Sequence, residues 1–180
     1  SKDRACQLHL ALESIHKNLP IFKQIKILYT TSNDDFLQGY YSLQKRLVAQ
    51  PRYQFVQQSA TIDFKRYMLQ LIRRSGNIFC ILTDDDIIYR NPQTTSREIV
   101  NLFRRHRNLG VFSLRLGHNI RMQGLSYGDP AIMPSKHYDI GSKFWMWKHT
   151  DVPNYMDFGY PFSIDGHFYR RNEILNIARK

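Results

Sequence analysis

The sequence predicts an α/β domain, a mostly parallel sheet flanked by helices with an irregular region after it. Three observations lead there. Helix-period and strand-like segments alternate four times between residues 5 and 116, the order expected of a sheet wound with right-handed crossovers. Ile78-Phe79-Cys80-Ile81-Leu82 is the most continuous apolar run, of the kind found in strands covered on both faces, and is expected mid-sheet. The chain has 180 residues, 42% hydrophobic, 13% aromatic and 23% charged, which suits one ordered domain with a single core rather than two modules.

Each element has its own signal. Leu8, Leu12, Ile15 and Leu19 recur at helical spacing and predict a helix over residues 5 to 18, stopped by Pro20. Ile25-Lys26-Ile27-Leu28-Tyr29 is short, β-branched and aromatic, which predicts a strand, and Thr31-Ser32-Asn33-Asp34 ends it in a turn. Phe36, Tyr40, Leu43 and Leu47 form the apolar stripe of a second helix closed by Pro51, and Tyr53-Gln54-Phe55-Val56 reads as the next strand. A third helix is expected with Thr61 as N-cap, Phe64, Met68, Leu71 and Ile72 inward, and Ser75-Gly76 at its end. After the apolar strand, Thr95 with Glu98 reads as a capping box opening a fourth helix, with Ile99, Leu102 and Phe103 inward. Val111 to Leu116 is the following strand.

From Gly117 to Pro161 the periodicity dissolves into a stretch rich in Gly, Pro, Tyr, Trp and Met, and a connection this long in a small domain is usually functional. Phe144-Trp145-Met146-Trp147 and Phe162-Ser163-Ile164 read as short strands within and after it. Asp165-Gly166-His167 then leads into a terminal helix near Asn172 to Ala178.

Lysine and arginine number 26 against 15 aspartates and glutamates, a formal charge of +11 that favours polyanionic partners: nucleic acid, an anionic membrane face or a phosphorylated small molecule. Arg104-Arg105-His106-Arg107 is the densest basic cluster, and at the end of a helix it also complements the helix dipole. With only Cys6 and Cys80, no disulfide framework is expected and a reducing compartment is compatible. No apolar stretch approaches the roughly 20 residues of a spanning helix. The expected setting is cytoplasmic, peripheral to an anionic membrane.

Asp84-Asp85-Asp86 follows the apolar strand at its carboxyl end, where open α/β sheets bind ligands. Three adjacent carboxylates repel one another, and a hard divalent ion would relieve the repulsion while bridging phosphate oxygens. Alternation along an extended chain lets Asp84 and Asp86 face one site while Asp85 turns away. A calcium loop fails, because Tyr89 stands where Gly is required and Thr95 where Glu is required. Phosphate-cradling P-loops and dinucleotide-binding glycine motifs are absent, which disfavours an NTPase or a Rossmann dehydrogenase.

The stretch Ile81 to Tyr89 resembles the DxD region of GT-A glycosyltransferases, and Ser1-Lys2-Asp3-Arg4 with Gln7-Leu8 resembles the start of their first nucleotide-binding loop. Tyr29 to Asn33 with Phe36 and Gly39-Tyr40, Phe64-Lys65, Phe112 to Gly117, and Tyr160 to His167 are similar to a family-2-like bacterial and viral subset. The resemblance spans nearly the whole chain. It implies a GT-A, Rossmann-like sheet and a nucleoside-diphosphate sugar donor, a UDP-sugar foremost, held by Mn²⁺ or Mg²⁺. It implies one catalytic domain, with residues 1–116 binding the nucleotide sugar and 117–180 serving the acceptor. Carried over, Asp84 lies near the ribose with Asp85 beside it, Asp86 is on the metal, Asp3, Arg4 and Asn33 contact the nucleoside, and Lys65 is a basic contact to the nucleotide. Such folds begin with a buried strand ahead of the Ser1-Lys2-Asp3-Arg4 segment, so either residues are missing or the sheet lacks that strand. The expectation is a catalytic core cut from something longer at both ends.

Inverting transfer to a glycan or other hydroxyl acceptor needs a carboxylate base, for which Asp165 is the candidate, since Gly166 after it permits close approach. His167 is an alternative base or a further ligand if the ion is Mn²⁺, and Asp139, Asp151 and Asp157 are rivals to Asp165. Trp145, Trp147, Tyr155 and Tyr160 are either sugar-stacking rings or core. Two other classes stay open: a nucleotidyltransferase using the same carboxylate and metal logic, and a non-catalytic nucleic-acid-binding module, which the +11 charge invites but for which no motif is found.

Overall fold

Helices and strands alternate through the first two thirds of the chain as their residue patterns predict. The computed structural model describes residues 1–59, 61–124 and 129–179, so residues 125–128 of the irregular stretch lie outside the described residues. The elements are α1 (Ala5–Asn18), β1 (Ile25–Tyr29), α2 (Asp34–Leu47), β2 (Tyr53–Gln57), α3 (Phe64–Arg73), β3 (Ile78–Ile81), α4 (Ser96–Arg105), β4 (Val111–Ser113), β5 (His137–Ile140), β6 (Phe144–Trp147), β7 (His167–Arg170) and α5 (Arg171–Ile177). Among the described residues, no helix is long and apolar enough to cross a membrane.

The helix ends follow from specific side chains. Asn33 caps α2 by accepting from the Phe36 amide at 3.0 Å. Thr95 and Glu98 make the full capping box of α4: Thr95 Oγ1 accepts from the Glu98 amide at 3.2 Å, and Glu98 Oε2 accepts from the Thr95 amide at 2.8 Å. The other end of α4 is tied to β7, where Arg170 donates to the carbonyls of Phe103, His106 and Leu109. The third helix starts later than expected. Its N-cap position is Asp63, while the Thr61 hydroxyl is engaged 2.7 Å from Ser59 Oγ, and Phe64 is exposed rather than inward.

The sheets correct the expectation of one mostly parallel sheet. β1 and β2 pair in parallel over five residues, and Lys2 bridges to Thr30 in the same sense, but β7 lies between β3 and β4 and runs antiparallel to both. The apolar run at β3 is therefore an edge strand of its three-stranded sheet, and β7, with His167, Phe168 and Tyr169 all buried, occupies the middle. Alternation of helix and strand specifies element type; it does not specify which late strand is inserted between earlier ones.

Two smaller differences have local causes. The strand expected to reach Leu116 stops at Ser113, because the Ser113 hydroxyl accepts from the amides of Arg115 and Leu116 at 3.1 and 3.0 Å and turns the chain. Phe162-Ser163-Ile164 is not a strand: the buried Tyr169 hydroxyl donates to Ser163 O at 2.5 Å with Pro161 O at 3.2 Å, and that bond takes the place of a ladder partner. Phe144–Trp147 is a strand, and its hairpin partner, His137–Ile140, carries no strand signal of its own.

One core cluster joins α1, β1 and α2 through Leu8, Leu12, Ile15, Leu19, Ile27, Tyr29, Tyr40, Leu43 and Leu47. A second sets Ile99 and Phe103 of α4 on Phe168 of β7. Ile21, Phe22 and Leu114 pack against both, which makes the two clusters continuous.

Candidate active site

The site grows from the crossing of β3 and the segment before β7. Gly166, at φ +78 where a side chain would be strained, donates its amide to Ile81 O and accepts from the Leu114 amide, both at 3.0 Å. Its neighbour Asp165 is thereby held at the carboxyl end of β3, beside the turn that carries Asp84, Asp85 and Asp86. That turn is pinned on its far side by α1, since Ser14 Oγ accepts from the Ile88 amide at 3.0 Å and Asn18 Nδ2 donates to Ile88 O at 2.5 Å.

The carboxylates differ in state. Burial pushes Asp86 above the ordinary carboxylate range, and the charges of Asp165 and Asp85 add to the shift, against the opposing pull of the Thr83 amide, which donates to Asp86 Oδ2 at 2.7 Å. Asp85 is exposed, and a hydrogen bond from the Thr83 hydroxyl holds it below that range. Arg4 reaches in from the amino-terminal loop, its Nη1 3.4 Å from Asp84 Oδ1 and 3.7 Å from Asp85 Oδ2. Arg4 is itself held by the fully buried Tyr40, whose hydroxyl accepts from the Arg4 amide at 3.1 Å.

His167 sits behind Asp165 in β7, 1% exposed, and among the described residues its Nε2 has no hydrogen-bond partner. Burial, with help from the charge of Arg115, lowers its pKa to about 4 against the pull of Asp165, so the ring is neutral. Five of the expected site residues, Arg4, Asp84, Asp85, Asp86 and Asp165, thus converge, with His167 one layer deeper.

The remaining three lie elsewhere. Asp3 has left-handed backbone, φ 55, and accepts from the Ser32 amide at 2.8 Å, so it closes the turn after β1. Asn33 uses its side-chain oxygen to cap α2. Lys65 is exposed on the first turn of α3. Two open clefts of about 390 Å³ each lie at the carboxyl ends of β1 and β2, and Asp3, Asn33 and Lys65 flank their linings without being part of them. One is lined by Thr30, Thr31, Gln57, Gln58 and Ser59, and the other shares Thr30 and Gln58 and extends to Ser1, Lys2 and Phe64. Nothing in the sequence singles out Thr30, Gln57 and Gln58 except position, at the ends of two strands that pair in parallel. Ser14 and Asn18, polar residues four apart beside the buried stripe of α1, are likewise visible only through their contacts with Ile88.

A divalent ion is implied by the resemblance. Among the described residues, no three His, Cys, Asp or Glu side chains form a ready ligand set. The turn offers instead two carboxylates, Asp84 and Asp86, with Asp165 adding like charge near Asp86. That fits a hard ion taking the rest of its shell from a diphosphate and water, with Asp86 and Asp84 as the donors from this chain, and does not fit a closed cage of protein ligands.

The aromatic residues of the irregular region divide. Trp145 and Trp147 are half-buried and pack with each other at 4.7 Å and with Phe158, while His118 stacks on Trp145. Tyr155 and Tyr160 are exposed.

The chain is 24% identical over 190 residues to the bifunctional glycosyltransferase pgtA of Dictyostelium discoideum, an alignment that covers 98% of this chain. It spans about a quarter of that relative, 24% of its length. No protein family model matches the chain, and no solved structure matches it.

Proposed function

We propose that this domain transfers a sugar from a nucleoside-diphosphate sugar, with UDP as the leading nucleotide, to an acceptor hydroxyl with inversion. The reading is carried by the hydrogen bond from Gly166 to Ile81, which brings a partly buried carboxylate, Asp165, beside the acidic turn Asp84 to Asp86. The similarity to a protein named a bifunctional glycosyltransferase supports it.

In this reading the clefts beyond β1 and β2 take the nucleoside, with Asp3, Arg4, Asn33 and Lys65 around it and Asp84 at the ribose. Asp86, with Asp84, would hold Mn²⁺ or Mg²⁺, whose chemistry is to offset charge on the diphosphate. Asp165 takes the proton of the acceptor hydroxyl as that oxygen bonds to the anomeric carbon. The bond from that carbon to the diphosphate oxygen breaks, and its electron pair leaves with the nucleoside diphosphate. Because Asp165 and the acidic turn repel each other, the site favours a bound cation. The +11 charge exceeds what one diphosphate needs, and we assign the rest to an anionic membrane or glycan precursor at a cytoplasmic membrane face.

A thermal-shift panel of nucleoside diphosphates with and without Mn²⁺ tests the proposal, since a ligand that binds only the folded state raises its stability by mass action. A rise confined to one diphosphate in the presence of the ion is expected. No rise with any of them, or release of pyrophosphate rather than a nucleoside diphosphate from the donor, overturns it.

A further inference from the structure

The geometry points to Ser163 as a positioning residue for Asp165, clamped in turn by Tyr169. This inference rests on the reading of Asp165 as the base and adds what holds that base in place. Ser163 is buried although its neighbours Phe162 and Ile164 are half exposed, an inversion of the usual preference that asks for a reason. The reason is polar: Ser163 Oγ donates to Asp165 Oδ2 at 2.9 Å and accepts from the Asp165 amide at 3.2 Å, so one hydroxyl orients both the carboxylate and its backbone. Among the described residues, no hydrogen bond engages Asp165 Oδ1, which leaves that oxygen to take a proton. Ser163 is itself held from below, since the Tyr169 hydroxyl donates to its carbonyl at 2.5 Å from within β7.

Asp165 is therefore fixed on both sides, by Gly166 against β3 and Leu114 just after β4, and by Ser163 against β7. Without the Ser163 hydroxyl the carboxylate can turn about its side-chain bonds, and a misplacement on the order of 1 Å costs about 100-fold in a reaction that needs an aligned base. A residue that only stabilises the fold would lower the yield of active protein, or weaken nucleotide binding, without a selective loss in kcat.

The test uses the whole chain with Mn²⁺ and four probes, UDP-glucose, UDP-galactose, UDP-N-acetylglucosamine and GDP-mannose, reading nucleoside diphosphate release, KM and the dissociation constant of UDP or GDP. Ser163→Ala is expected to lose about 10- to 100-fold in kcat with the dissociation constant unchanged, Ser163→Thr to recover part of it, and Tyr169→Phe to show a smaller loss of the same kind. If Asp165→Asn is inactive but Ser163→Ala and Tyr169→Phe keep kcat within twofold of the unsubstituted chain, the positioning role is overturned and the base assignment stands. If Ser163→Ala loses kcat and nucleotide affinity together, Ser163 serves the fold and the inference fails. If Asp165→Asn turns over normally, or the unsubstituted chain releases nothing from any probe, the reading beneath it fails first.

Discussion

Asp157 receives the guanidinium of Arg115 at 2.7 Å from a position only 1% exposed, and the Gly124 amide donates to its other oxygen at 2.6 Å. The Asp157 amide in turn donates to the side-chain oxygen of the buried Gln123. One carboxylate thus ties the turn after β4 to two later segments of the irregular region. Its charge is spent on Arg115, which removes it as a rival to Asp165 for the role of base. Removing one partner of such a pair leaves the other uncompensated, so Asp157→Ala is expected to destabilise the fold by about 3 kcal/mol, the low end of the buried-pair range because Arg115 is partly exposed. Urea unfolding measures this; a change within about 0.5 kcal/mol would show the pair to be idle.

Asp86→Asn tests the acidic turn with the least disturbance, because the amide oxygen still accepts from Thr83 while the charge is lost. Titration calorimetry of UDP should show an affinity that rises with Mn²⁺ in the unsubstituted chain and does not respond to it in the variant. Stability should hold or rise slightly, as the substitution removes a carboxylate that burial and Asp165 already disfavour. Equal metal-dependent affinity in both proteins would show that the cation is held elsewhere.

Asp165→Asn should separate chemistry from donor binding. Loss of a general base costs on the order of 10² to 10⁴ in rate, while nucleotide affinity through Asp84, Asp86 and the β1–β2 clefts should be unchanged. A product that retains the anomeric configuration in the unsubstituted chain would remove the need for such a base.

Glu98 gives a pH signature independent of the site. A hydrogen bond from Lys143 at 2.8 Å, then those from Thr95, lower its pKa to about 2. Because the folded value lies below the unfolded one, this contribution to stability is complete above about pH 4.5 and is lost as the pH falls towards 2. Carboxyl NMR should place the Glu98 midpoint near 2, and Lys143→Ala should move it upward. A midpoint near 4.5 in the unsubstituted chain would mean the cap is not formed in solution.

By itself the sequence determined what depends on near neighbours. The apolar stripe of α1, the capping box at Thr95 and Glu98, the turn at Asn33 and the strand character of residues 25–29, 53–57 and 144–147 are set by periodicity and by side chains reaching a few residues along the chain. The acidic turn was legible for the same reason, as three like charges after an apolar strand call for a cation or a ligand. What only the tertiary structure decided was pairing over long separations. Nothing local in His167–Arg170 says that it will enter between β3 and β4, displacing β3 to an edge and bringing Asp165 to Asp86, and nothing local says that Arg4 will meet Asp84, 80 residues apart. Nor does the apolar look of Phe162 and Ile164 reveal that both turn outward while Ser163 turns in. The buried Tyr169 hydroxyl holds Ser163 there by donating to its carbonyl, because a buried donor left unpaired is costly.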